Sequence, residues 1–221
     1  MNSFATIVYY TSNREDPGFE NRITFRLLKT AKKLNMPLIS VSQKPMPGFG
    51  KNICVGDVGV SNQNVGRQLQ IGAEEAKTPF VISAESDCLY PLEYFSFIPP
   101  FKDRCYRYDN VWILYKFKNV FKKKDYSECG QIVGRDFLIK CLKENYCVGR
   151  GQWNPVLEHG KNVPPSYFPN LWDYYRTHIP IVNIKTKEGM HSWTGTSGGI
   201  APVPELPRWG SADQVNKEMF G

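Results

Sequence analysis

Six residues close to the amino terminus constrain the chain most. Ala5-Thr6-Ile7-Val8-Tyr9-Tyr10 is an unbroken β-branched and aromatic run, the pattern of a strand buried on both faces. It empties into Thr11-Ser12-Asn13-Arg14-Glu15-Asp16-Pro17-Gly18, a polar loop with strong turn chemistry. Phe19, Ile23, Leu27, Leu28, Ala31 and Leu34 then recur at helical spacing, with Arg and Lys on the other face. Pro37-Leu38-Ile39-Ser40-Val41 reads as a second strand. Strand, helix and strand in that order are the grammar of a parallel α/β sheet.

The pattern continues. Lys44 to Gly59 is a Gly/Pro-rich loop, long enough to expect a functional role for it. Ser61 or Asn62 caps a helix through Val65, Leu69, Ile71, Ala73 and Ala76, which Thr78-Pro79 ends. Phe80-Val81-Ile82-Ser83-Ala84 is a third buried strand. Pro91 to Phe101 reads as a short helix entering a Pro-Pro turn, Tyr106 to Phe117 as a strand pair, and Phe137 to Tyr146 as a helix. Ile179-Pro180-Ile181-Val182-Asn183-Ile184 is one more strand, and the tail reads as a long irregular arm. With no internal repeat and no linker, residues 1–221 are expected to form one α/β domain with a mostly parallel central sheet.

Composition removes other classes. A chain of 221 residues that is 41% hydrophobic and 14% aromatic is no disordered tail. No apolar run approaches the ~18–20 residues of a membrane span. Met1 to Thr6 lacks a basic n-region and an apolar h-region, so the expected location is cytoplasmic, that of the host if the source is a virus. Six cysteines without a CxxC pair and three histidines without HExxH spacing fit reduced thiols better than zinc. The net charge of +7 raises the question of an anionic partner.

Chemistry is expected where strands end. Ligands of open α/β sheets gather at the carboxyl ends of the strands. Glu85-Ser86-Asp87 follows the third strand directly, and a two-residue step in extended chain puts both carboxylates on one side. Two hard oxygen donors there suit Mn2+ or Mg2+ in the presence of a phosphate ligand.

The run Asn64-Val65-Gly66-Arg67, Gly72-Ala73-Glu74-Glu75-Ala76, Thr78-Pro79-Phe80-Val81-Ile82 and Glu85-Ser86-Asp87 resembles the GT-A glycosyltransferases, particularly family 2-like members. Glu85 stands for the first Asp of their DxD motif and keeps the carboxylate. The resemblance covers residues 5–95 well. Gly130 to Leu138 is a looser match to the acceptor-side segment, and the C-terminal third does not match in detail. The resemblance implies a nucleotide-sugar-binding half over 1–100 and an acceptor-side half with the C-terminal arm over 101–221. It implies a sugar moved from a nucleotide diphosphate sugar, a UDP-hexose by preference, to an acceptor hydroxyl. Asp87 would hold the metal, with Glu85 on ribose or metal-bound water and His191 completing the site from the tail. Tyr10, Thr11, Asn13, Arg14 and Ser86 would contact the nucleotide sugar, with Arg67 and Arg14 on the diphosphate. Glu158 is the candidate base for the acceptor hydroxyl.

Competing motifs are weaker. Gly195-Thr196-Ser197-Gly198-Gly199 matches the G-x-S-x-G elbow in form, but all three histidines precede Ser197 and the triad needs one after it. Gly50-Lys51-Asn52 lacks the rest of a P-loop, and no G-x-G-x-x-G follows the first strand. A nucleotidyltransferase remains an alternative, although Thr11 to Gly18 is not its Gly-rich basic loop. A non-catalytic basic nucleic-acid-binding module is the other. Arg104 and Arg107, then Lys116, Lys118, Lys122, Lys123 and Lys124, interleave with aromatics as a phosphate-tracking surface does. Combined with the enzyme reading, these cations point to an acceptor that is DNA, for example a hydroxylated base in viral DNA, or another anionic polymer. Neither the sugar nor the oligomeric state is legible.

Overall fold

The computed structural model describes residues 3–124, 129–148, 152–153, 172–189 and 199–221. The elements run β1 (Ala5–Thr11), α1 (Pro17–Leu34), β2 (Leu38–Ser42), β3 (Lys51–Cys54), α2 (Asn62–Glu75), β4 (Phe80–Glu85) and β5 (Cys88–Leu89). They continue with β6 (Cys105–Tyr108), β7 (Val111–Tyr115), β8 (Phe121–Lys123), β9 (Gln131–Gly134), α3 (Arg135–Tyr146), β10 (Cys147–Val148), β11 (Gln152–Trp153) and β12 (Trp172–Tyr175). The last are β13 (Ile181–Lys185), β14 (Glu205–Leu206), β15 (Gly210–Ser211) and α4 (Ala212–Phe220).

A mostly parallel sheet in the order β12-β6-β9-β4-β1-β2-β3 forms the centre. Only β9 runs against its neighbours. β1 is the axis, pairing with β2 from Ile7↔Leu38 to Thr11↔Ser42 and with β4 from Ala5↔Phe80 to Tyr10↔Glu85. The alternation of a strand explains its unbroken hydrophobicity. Ile7 and Tyr9 pack on Phe19, Ile23 and Leu27 of α1, while Val8 and Tyr10 share a second core with Leu69 and Ala73 of α2 and Leu138 and Leu142 of α3. Helices thus cover both faces, as a parallel sheet requires.

Caps set the helix starts. Asp16 accepts from the Phe19 amide at 3.0 Å and Pro17 opens α1, while Asn35 ends that helix in the left-handed region at φ 52°. Ser61 caps α2. Inside α2, buried Gln68 donates to the Thr11 and Val41 carbonyls at 2.8 and 3.0 Å. That amide ties the helix to the carboxyl ends of β1 and β2.

Three expectations fail locally. The Lys44–Gly59 loop contains β3, paired in parallel with β2 from Ile39↔Lys51 to Ser42↔Cys54; its four residues are half-exposed and too polar to show a period. Tyr106 to Phe117 holds two strands, but they belong to different sheets. Tyr108 donates its amide to Gly130 while Asn110 accepts from Ile181, so each side of the joint is captured by a different partner. The described end of the tail, residues 199–221, adds a helix to the expected arm. It ends in α4, closed by a capping box between Ser211 and Gln214 and stacked on α1 through Phe19 and Phe220, 5.0 Å apart. The expected short helix near Pro91 is one turn of 3-10 helix, Leu92–Ser96.

A second sheet, in the order β5-β13-β7-β8, stands beside the first. β13 runs antiparallel to β5, with Asn183 opposite Cys88, and the Ile184 amide extends the ladder to the Asp87 carbonyl at 2.7 Å. This pairing brings the end of β13 to the turn after β4.

Candidate active site

Glu85 is the last residue of β4, and its register partner Tyr10 donates a phenolic hydrogen bond to Glu85 Oε1 at 2.8 Å. The Glu85 amide donates to Tyr90 Oη at 2.8 Å, and that hydroxyl donates onward to the Cys129 carbonyl at 2.7 Å. Both ends of Glu85 are therefore fixed. Asp87 follows through Ser86, in the turn, and receives Lys185 Nζ on Oδ2 at 3.0 Å. The two side chains are only 11% and 15% exposed, so this is an interior ion pair. Cys88 Sγ donates to Asp87 Oδ1 at 3.3 Å, and Asn183 donates to Cys88 Sγ at 3.1 Å.

The electrostatics follow from burial and from Lys185. Burial pushes the Asp87 pKa up, but the Lys185 charge and the hydrogen bonds from Lys185, Cys88 and Asn183 outweigh it and hold the carboxyl below its ordinary value. Burial pulls the Lys185 ammonium down, and the Asp87 charge more than reverses this. Glu85 moves the other way. Burial and the Asp87 charge raise it, against the Tyr10 bond and the charges of Lys185 and Lys124. Burial pushes the Cys88 thiol well up, so it stays protonated.

Two more carboxylates stand behind the turn. Glu20, 7% exposed, accepts from Tyr9 Oη at 2.8 Å and Thr11 Oγ1 at 2.6 Å. Glu15, 6% exposed, accepts from Thr186 Oγ1 at 2.6 Å. Burial raises the Glu15 pKa to about 7, helped by Asp87 and Glu20 and opposed by the Thr186 bond and Lys185. A folded-state pKa above the unfolded value means the native state holds more protons between the two, so its stability falls as pH rises from about 4.5 to about 7. Glu15→Gln keeps an acceptor for Thr186 and removes the titration. Its melting temperature relative to wild type should climb between about pH 5 and about pH 7 in thermal melts and level off above that, following the window. A constant difference over that range would contradict the assignment.

The other expected residues are distributed unevenly. Thr11 and Asn13 line the same edge, but their side chains are engaged with the chain itself: Thr11 on Glu20, and Asn13 Oδ1 on the Lys44 amide at 2.8 Å. Arg14 and Arg67 are exposed and make no ion pair with the described residues. His191 and Glu158 lie outside the described residues. Arg104 precedes β6, level with the start of β4 and so at the opposite end of the sheet, where it pairs with Asp173 at 3.2 Å. Arg107 is buried at 3% exposure. Lys116 and Lys118 are exposed, lying over the Phe220 and Phe117 rings at 4.6 and 5.5 Å. Lys122 is half-buried, whereas Lys123 is buried and donates to the carbonyls of Asp109, Val111 and Lys124. The expected continuous cationic face therefore breaks up, because β8 alternates its lysines between solvent and core. Lys124, at its end, is the member whose charge reaches Glu85.

The residues that sequence reasoning missed are Lys185, Glu15 and Glu20. Lys185 closes the apolar run Ile181–Ile184, and a cation ending a buried strand was the available signal. Its partner was not, since the β5–β13 pairing joins residues far apart in the chain.

Glu85, Asp87 and Cys88 put ligand-type atoms within 4.8 Å of one another, a possible metal-binding group. In this arrangement it does not fit Mn2+ or Mg2+. The thiol is protonated, Asp87 Oδ2 holds an ammonium, and Glu85 Oε1 holds a phenol. A dication would have to displace Lys185 or sit against it.

No family model matches the chain, and no curated protein matches it. Solved structures do. GalNAc-T7 with UDP, GalNAc and Mn2+ superposes with a TM-score of 0.53 at 12% identity over 87% of this chain and 45% of its own length. The inositol-1-phosphate CTP transferase from T. maritima gives 0.51 at 9% identity, over 86% and 92% of the two chains. HddC from Yersinia pseudotuberculosis gives 0.51 at 11% identity, over 82% and 93%. The shared feature is the fold. It is the Rossmann-like α/β type common to GT-A proteins and nucleotidyltransferases.

Proposed function

We propose that the chain is a nucleotide-using transferase, and specifically a glycosyltransferase that moves a hexose from a nucleotide diphosphate sugar, UDP-linked by preference, to an acceptor hydroxyl. The observation that carries this reading is the Glu85-Ser86-Asp87 turn at the carboxyl edge of a parallel sheet, held in register with Tyr10 and backed by an interior ammonium. The loop after β1 favours the sugar-transferring reading over the nucleotidyl one. Thr11 and Asn13 turn their side chains onto Glu20, and Thr11 to Gly18 holds a single glycine and a single arginine, short of the Gly-rich basic loop of a nucleotidyltransferase.

In the proposed reaction the acceptor oxygen bonds to the anomeric carbon as that carbon's bond to the β-phosphate oxygen breaks. The nucleoside diphosphate leaves with the electron pair, and the acceptor proton passes to a base. Negative charge grows on the diphosphate, so the chain must offer positive charge or hydrogen-bond donors at the turn. Tyr10, expected to face the base of the nucleotide, is 5% exposed and packs with Leu69 and Ala73, so its part in this reading is to hold Glu85. Mn2+ or Mg2+, expected from the resemblance, has no step in this reading because Asp87 is already engaged by Lys185.

A panel of nucleoside diphosphates and nucleotide sugars in thermal-shift assays tests the reading. A ligand at a hundred times its Kd stabilises the native state by about 2.7 kcal/mol, on the order of 5–10 °C for a domain of this size. UDP or a UDP-hexose should give that rise. A flat response across the panel would end the nucleotide-using reading.

A further inference from the structure

We propose that Lys185 is the cation that receives the diphosphate of the donor, so that this site binds a nucleoside diphosphate without a divalent metal. The inference rests on the nucleotide-using reading above and concerns how charge is handled at its site.

Position comes first. Lys185 ends β13, and the ladder that runs from Asn183↔Cys88 to the Ile184–Asp87 bond fixes its backbone beside the turn. Its ammonium is not a flexible surface group reaching in, because the side chain is 11% exposed. An ammonium carries three donors. One goes to Asp87 Oδ2 at 3.0 Å, and among the described residues the others meet no acceptor. A buried ammonium with unused donors at the carboxyl edge of a parallel sheet is poised for an anion with several oxygens. A diphosphate is such an anion, and its bonds to an ammonium are charge-assisted.

Charge balance comes second. Lys185 meets the Asp87 carboxylate across 3.0 Å, and the Tyr10 hydroxyl meets Glu85 at 2.8 Å. The chain therefore places a fixed positive charge at the position where a bound metal would bring one. Asp87 becomes a positioning residue that aims the ammonium.

The same charge arrangement explains why metal is not simply additive. A dication near Asp87 would face a tethered ammonium that cannot diffuse away, and like charges at such separations repel strongly in a partly buried site.

Calorimetric titration with UDP, in EDTA and separately in Mn2+, tests the proposal on the whole chain. Wild type should bind in EDTA with a Kd within about threefold of its value in Mn2+. Lys185→Met should weaken binding in EDTA by at least about tenfold, the loss of one charge-assisted contact. Lys185→Arg should restore most of it, because a cation returns. Should Lys185→Met fold poorly, the double variant Lys185→Met/Asp87→Asn removes the charge stranded at Asp87 and should show the same loss. Wild type that binds UDP only with Mn2+ overturns the role of Lys185 and leaves the nucleotide-using reading standing. So does a folded Lys185 variant, single or double, that binds in EDTA as wild type does. Binding in neither buffer overturns both.

Discussion

Lys185→Met is expected to destabilise the native state by about 3–5 kcal/mol, the range for removing one member of a buried ion pair. Most of that loss is the charge left behind. Asp87 would remain inside with only Cys88 and Asn183 to meet a full negative charge, and neither donor is ionised. The double variant Lys185→Met/Asp87→Asn should therefore recover more than half of the loss, although it lacks the pair altogether. Urea unfolding of wild type, both single variants and the double variant gives the coupling between the two side chains directly. A coupling under about 0.5 kcal/mol would mean that the pair behaves like a surface contact, contrary to its burial. The linkage has a sign as well. Asp87 is held below its ordinary pKa, so its share of the stability is present at neutral pH and is lost as pH falls through the lowered value.

Gly134→Ala should be nearly as damaging for a steric reason. A Cβ at that position would lie 1.7 Å from the Lys102 carbonyl oxygen and 2.5 Å from its carbon. These are backbone atoms and cannot rotate aside. Gly134 also pairs with Phe80 at the end of the β4–β9 ladder, so a retreat of β9 opens the sheet beside the strand that carries Glu85. The expected loss is at least about 3 kcal/mol, the upper part of the overpacking range. Gly199→Ala is the matched control, because its Cβ would meet nothing within 4 Å. If Gly134→Ala melts within about 2 °C of that control, the close approach is not a real constraint on the fold.

Much of this fold is local and therefore legible. β1, α1, β2, α2 and β4 follow from runs of Val, Ile and aromatics, from a clear helical period and from caps at Asp16 and Ser61. What the sequence hides is partnership across distance. The strands β6 and β7 are both readable, but their division between two sheets depends on Gly130 and Ile181. Helix α4 is only nine residues long, and much of its anchoring is contact with α1, which no local window contains. The site divides in the same way. Glu85, Asp87 and Tyr10 follow from one turn at one strand end. Lys185 and Glu15 join them only through the second sheet and Thr186. The basic run misleads for a related reason, since formal charge does not tell which lysines a strand turns inward.

The place of β9 has a consequence for how the chain is made. It is the strand that closes the outer edge of β4, and the ribosome delivers it only after all of β1 to β8. Until Gln131–Gly134 emerges, the nascent chain presents Phe80–Ala84 as an open, apolar β-edge, the type of template on which other chains add. A fragment ending near residue 100 would keep that edge permanently. Such a fragment should precipitate rather than behave as a small independent module, and fast translation or a shortage of chaperones should lower the yield of the whole chain. Biosynthesis of this protein thus hinges on a late, four-residue strand that touches none of the charged groups at its site.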